Sequence, residues 1–160
     1  MSRPKSLAGD RRGAVYVEFL VAFLPVFFFF LSLVQFTFLQ GANLVVKHAA
    51  TTAVRAAIVV LHDDPTHYGD VPTGRATGKR LEEIERAARI PLAVLGLRPD
   101  AVKIEIPEAV ARDAQVTVKL EYRYKCQVPW GRSVVCSFFT NERTLRAEAT
   151  MPNQGVAWRY

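Results

Sequence analysis

Charge is missing over a long stretch of this chain: between Phe19 and Val46 there is no Asp, Glu, Lys or Arg. A segment so bare has no means of holding itself in water, which excludes a solvated N-terminal third. Cysteine is also scarce, with two in 160 residues, Cys126 and Cys136. Two thiolates with no histidine nearby in sequence cannot fill a tetrahedral zinc site. A phosphate-cradling loop is absent as well. Gly74 and Gly78-Lys79-Arg80 look like one, but only three residues separate the glycines where four are needed, and Arg80 stands where Ser or Thr should follow the lysine. No Ser/His/Asp or Cys/His arrangement stands out, and no basic patch is interleaved with aromatics as nucleic-acid binding requires. We therefore expect no enzyme, no cofactor and no nucleic-acid partner.

What fills the uncharged stretch is an apolar wall. Phe19–Leu39 is apolar at 17 of 21 positions, broken by Pro25, Ser32, Gln35 and Thr37, and it holds eight of the ten phenylalanines. A bilayer core needs about 20 such residues. The run is too long for the core of a cleaved secretory signal, about 7–15 residues, and its exit, Gln40-Gly41-Ala42-Asn43, is a poor signal-peptidase site. It is expected to remain as a transmembrane segment at about 19–39. Glu18 stands at its mouth. An ionisable group there is costly unless paired, which makes it a functional candidate. The alternative is an interfacial glutamate that snorkels into the headgroup layer.

Arg3, Lys5, Arg11 and Arg12 against Asp10 make the N-terminal flank basic, so it is expected to stay cytoplasmic with the remainder outside. The net charge of +6 includes this flank: without residues 1–13, four of the 21 basic and one of the 15 acidic residues go, leaving +3. Half the excess is topogenic. Cys126 and Cys136 then fall in an exported, oxidising compartment, where an even count at short spacing favours a disulfide.

The helical pattern continues beyond the wall. Ala49, Ala50, Ala53, Ala56 and Ala57 are good helix formers, and Lys47, Thr51 and Arg55 mark a polar stripe four residues apart. One helix is expected over 14–61, kinked or locally unwound at Pro25 and soft at Gly41. His62 to Gly78 reads as a loop. Its His62, Asp63, Asp64, His67 and Asp70 are rich in potential metal ligands, but their spacing fits neither a zinc motif nor an EF-hand, and a solvated polar loop is the better reading. A short helix is expected over Lys79 to Arg89, ended or interrupted by Ile90-Pro91. Val102, Ile104 and Ile106 alternate with polar residues, as do Val116 to Tyr124 and Leu145 to Met151. With a returning strand over Ser133–Phe139 after a Val128–Gly131 turn, these predict an antiparallel sheet. The fold class is α+β, a long N-terminal helix packed on a small antiparallel sheet.

Arg11-Arg12-Gly13-Ala14, then Val17-Glu18-Phe19 and Leu24-Pro25 inside an apolar helix, resemble a type IV prepilin processing site of the TadE branch. These are small minor pilins or pseudopilins of the tight-adherence (Tad/Flp) pilus. Tyr122-Arg123-Tyr124 and Ala147-Glu148-Ala149-Thr150-Met151-Pro152 are similar to the far end of such chains. The likeness covers roughly 11–61 and 115–153. It implies a prepilin leader at 1–13, removed by a prepilin peptidase between Gly13 and Ala14, and a pilin-like exported domain over 62–160. It implies Glu18 as the carboxylate that pairs with a neighbouring subunit's N-terminus. It further implies a subunit held in the inner membrane with a periplasmic C-terminal domain, then placed in an extracellular pilus. Its partners would be major pilin subunits, other minor pilins and the inner-membrane assembly machinery. Two alternatives stay open: an uncleaved single-pass periplasmic scaffold, and an anchored exported binding domain that uses the 62–70 loop.

Overall fold

The computed structural model describes residues 12–96, 98–136 and 141–153. The expected leader lies outside these apart from Arg12 and Gly13, and so do Ser137 to Phe139 of the expected returning strand. The dominant element is α1, Arg12–Val60, 49 residues that span about 73 Å at 1.5 Å per residue. It is continuous through both Pro25 and Gly41, so of the kink or local unwinding expected at Pro25 the unwinding is not found. The proline removes a single backbone donor from a long ladder, and the flanking turns carry on around it.

Two halves of α1 differ in what surrounds them. Every side chain over 13–30 is exposed, whereas burial begins at Leu31. From there Gln35, Leu39, Ala42, Val46, Ala49, Ala53 and Ala57 are buried at steps of three and four, the signature of one helical face. Alanine dominates this face, which lets the rest of the protein approach the helix axis closely. Lys47 and Arg55 lie on the exposed side, as their spacing predicts.

The buried face packs on a three-stranded antiparallel sheet in the order β1 (Val102–Glu105), β2 (Gln115–Lys125), β3 (Glu142–Pro152). β2 is central, and its burial alternates strictly. Val116, Val118, Leu120, Tyr122 and Tyr124 point to the core, and the intervening polar residues point away. Register places Val102 opposite Tyr122 on one side, and Leu120 opposite Ala147 on the other. The outer face is held by polar cross-strand pairs, Arg146 to Glu121 at 2.7 Å and the Thr117 and Thr150 hydroxyls at 2.9 Å.

α2, Gly78–Leu92, covers another side of α1 through Ile84, Ala88 and Leu92, all fully buried. It runs past the expected stop at Ile90-Pro91. Burial of Leu92, one turn beyond Ala88, outweighs the single hydrogen bond that Pro91 removes. Burying a leucine is worth roughly 1.5–3 kcal/mol.

Of the returning strand expected over Ser133–Phe139, the described residues Ser133 to Cys136 are not strand. Gly131–Val135 instead forms a short helix, α3. The reason is topological. β2 already pairs with β3 from Lys125↔Glu142 onward, so Ser133 to Cys136 fall in the connection between two strands already paired with each other. The Cys126 N–H donates to the Asn141 carbonyl at 2.9 Å and closes the base of this connection.

Candidate functional site

The expected functional residues sit at the root of α1. Gly13 lies in its first turn with open space where a Cβ would be. Ala14 and Glu18 are exposed and lie four residues apart, hence on one face. Among the described residues Glu18 has no ion-pair partner. Above it runs an aromatic ladder: Phe19 stacks on Phe23 at 5.4 Å, and Phe23 on Phe27 at 5.5 Å. Phe27 meets Phe28 at 6.4 Å, and Phe28 meets Trp130 of the β2–β3 connection at 5.5 Å. The ladder thus passes from the bare helix to the head.

At that meeting point the connection is held to α1 by two contacts and closed by a covalent bridge. Gln35, fully buried, accepts the backbone N–H groups of Gln127 at 3.1 Å and Val128 at 2.8 Å through its side-chain oxygen. Gly131 lies so close to the helix that a Cβ would fall 2.4 Å from the Leu31 carbonyl oxygen. Cys126 and Cys136 are joined in a disulfide with their Cα atoms 6.6 Å apart, which closes the loop around these contacts. The bridge links the end of β2 to the end of α3, whereas the expectation placed it between two strands. Sequence reasoning missed Gln35 and Gly131. The signal for Gln35 was a lone amide in an uncharged helix, read there only as a break in the wall.

The far end of α1 is closed by a residue that sequence reasoning considered only as part of a failed phosphate loop. Arg80 is fully buried. Its guanidinium donates to the carbonyls of Val60, Asp63 and Val71 and lies over the Tyr68 ring at 4.5 Å from the centroid. The last carbonyls of a helix have no partner within it and carry partial negative charge, so a cation there satisfies both needs. Burial pulls the Arg80 pKa down, opposed by Tyr68, Asp63 and Asp64.

The acidic and histidine-rich loop behind it is tied up locally. Asp64 accepts the Thr66 N–H at 2.9 Å, capping a 3₁₀ turn over Pro65–Tyr68. Asp63 accepts the Tyr68 hydroxyl at 3.0 Å. His62 is buried against Asn153, whose side-chain amide donates to its Nε2. Burial first, then the Arg112 and Arg80 charges, lower the His62 pKa. His67 and Asp70 point to solvent. Among the described residues, no three His, Cys, Asp or Glu side chains come close enough together to hold a metal ion.

The arrangement is an apolar rod with one carboxylate at its root and an α+β head seated on its other half. α1 is long and apolar enough to cross a membrane, as a single-pass anchor would be. No family model, no curated protein and no solved structure matches the chain.

Proposed function

We propose that this protein is a minor pilin or pseudopilin of a tight-adherence type pilus, cut by a prepilin peptidase after Gly13 and then inserted into the pilus at initiation or at its tip. The observation that carries the reading is the division of α1. Its first part, over 13–30, is bare on all sides and holds Gly13 and Glu18, while the rest is seated in an α+β head. A helix built this way is stored in a bilayer by its bare part and can exchange lipid for neighbouring helices without rearranging the head.

The mechanism follows from electrostatics. Cleavage leaves Ala14 as a free ammonium. Glu18 lies four residues on, about 6 Å along the axis. A neighbour displaced by that distance brings its ammonium level with this carboxylate. Inside an apolar bundle a single unpaired charge is far more costly than a matched pair, so the pair selects the axial register. Before assembly the subunit has a cytoplasmic root and a periplasmic head, as the basic flank directs.

Intact-mass measurement of protein extracted from membranes tests the reading. A chain starting at Ala14, and retention of the leader when Gly13 is replaced by a bulky residue, are the expected results. A wild-type chain that still begins before Ala14 overturns it in favour of an uncleaved single-pass scaffold.

A further inference from the structure

The β2–β3 connection meets α1 at Phe28, Leu31 and Gln35, at the upper end of its bare part. Its outer surface is apolar in an unusual place. Trp130, just before α3, is 66% exposed, and Val134, within α3, is 76% exposed. Pro129 beside them is exposed as well. The disulfide and the Gln35 and Gly131 contacts hold this surface rigidly, so it is presented to the outside rather than collapsed inward.

The height of this surface on the helix is what identifies its partner. From Ala14 to Phe28 is about 21 Å along α1, and from Ala14 to Gln35 about 32 Å. A hydrocarbon core is about 30 Å thick. Because the head covers α1 from Leu31 onward, the span is shifted toward the N-terminus relative to 19–39; with Ala14 at one edge, Gln35 falls at the other, and Trp130, tilted against Phe28, falls several ångströms inside it. Most polar side-chain groups along this stretch are engaged within the protein, the buried Gln35 Nε2 being the exception. The Ser32 and Thr37 hydroxyls donate to the carbonyls of Phe28 and Leu33, and the Gln35 oxygen accepts the two loop N–H groups. Exposed cations lie on the same connection and its flanking strand ends: Arg132 in α3, Lys125 at the end of β2, and Arg143 in β3, which donates to the Val135 carbonyl at 2.9 Å. Glu142, opposite Lys125 in register, is engaged by Arg98 at 3.2 Å. An exposed indole on a loop that carries cations, at the end of an apolar span, is the chemistry of the boundary between acyl chains and headgroups.

We infer that the disulfide-closed loop is a lipid-contacting foot: Trp130, Pro129 and Val134 enter the bilayer boundary on the head side of the span, and Lys125, Arg132 and Arg143 stay among the headgroups. The inference rests on the reading that α1 crosses a bilayer. It means that the head stands on the membrane at two points, the helix and the foot, which fixes its rotation about the helix axis. Leaving the bilayer then requires withdrawal of the foot as well as of the helix.

The test uses the full chain carrying Trp158→Phe, so that Trp130 is its one tryptophan, in bilayers of phosphatidylcholine and phosphatidylglycerol. Lipids brominated near the headgroup or deep in the acyl chain serve as quenchers, and iodide is the aqueous quencher. A second chain with Trp130→Phe, Trp158→Phe and Phe23→Trp reports on the span itself. Trp130 should lose most of its emission to the shallow bromines, less to the deep ones and little to iodide, while the tryptophan at position 23 answers chiefly to the deep ones. If position 23 is quenched by bromolipid but Trp130 is quenched by iodide, the foot is overturned and the span stands. If position 23 is not quenched by either bromolipid, the span falls and the foot falls with it. Shielding of Trp130 from both lipid and iodide also overturns the foot and assigns the patch to a protein contact, such as a second copy of this chain.

Discussion

Gln35 and Val128 are joined by a hydrogen bond of 2.8 Å, from the Val128 backbone N–H to the side-chain oxygen of a glutamine buried in an apolar helix. The same oxygen takes the Gln127 N–H, so one side chain satisfies two consecutive donors of the β2–β3 connection. Gln35→Leu keeps the volume and removes the single acceptor that both N–H groups share. Leaving buried donors unpaired should cost roughly 2 kcal/mol or more. The denaturant midpoint of the detergent-solubilised chain should fall accordingly, and protease should cut the 126–136 segment sooner. A midpoint unchanged from wild type would mean that the two N–H groups find other partners.

Two glycines of α1 and its neighbour should respond in opposite directions. Gly131→Ala drives a Cβ into the Leu31 backbone, where no side chain can swing away. Overpacking of this sort typically costs about 1–3 kcal/mol. Gly41→Ala meets nothing within 4 Å, and alanine in a helix is favoured over glycine by up to about 1 kcal/mol. Thermal unfolding of the two variants beside wild type checks the contrast.

Much of this was readable in advance, and the reason is periodicity. β2 alternates because it is the central strand of a sheet with one face on α1, so burial repeats every second residue. The alanine-rich stripe of α1 repeats at three and four for the equivalent reason. Where the reading failed, long-range constraint overrode local preference. Val134 and Val135 favour strand by their branching, yet the Lys125↔Glu142 register places them in the connection between two strands already paired with each other. Pro91 signals a stop, yet Leu92 has a buried site to fill. Gln35 and Arg80 act through backbone groups far from them in sequence, and no spacing rule reports such partners.

Arg80 should be sensitive even to a conservative change. Arg80→Met strips donors from the carbonyls of Val60, Asp63 and Val71 and should destabilise by roughly 3 kcal/mol. Arg80→Lys keeps the charge but offers a compact ammonium in place of a planar fork, so it should recover less than half of the loss. Equal stability of wild type and Arg80→Lys would show that charge at the helix terminus, rather than the three-way hydrogen bonding, is what matters.

His62 makes stability depend on pH in a defined direction. Its folded pKa lies below the ordinary imidazole value of about 6.5, because burial and the Arg112 and Arg80 charges disfavour the cation. Between those two values the unfolded chain binds more protons, so stability rises with pH. The contribution is complete above about pH 6.5 and is lost as pH falls from there through the folded value. The melting temperature should therefore drop on mild acidification. In His62→Gln, which has no proton to gain at this position, the drop should be smaller. Parallel profiles for the two proteins would place the acid sensitivity elsewhere.

The decisive residue for the proposed function is Glu18. It is exposed on the bare part of α1, and among the described residues it has no ion-pair partner, so nothing within the head depends on it. Glu18→Gln should leave the head folded and the Cys126–Cys136 bridge formed. Membrane insertion should be as good as wild type or better, since a charge at the mouth of an apolar span opposes insertion. Cleavage after Gly13 should continue, because the substitution leaves Gly13 and Ala14 untouched. Assembly is the step that should fail: the neighbour's Ala14 ammonium would then lie in an apolar bundle with no counter-charge. Removing one partner of a buried pair typically costs about 3–5 kcal/mol, enough to lower incorporation by two orders of magnitude or more. The measurement compares pilus number and subunit incorporation at matched membrane levels. Glu18→Asp, which keeps the charge on a shorter stem, should fall between the two. Normal incorporation of Glu18→Gln would mean that this carboxylate only snorkels at the interface, and the register of the bundle would have to come from the phenylalanine ladder instead.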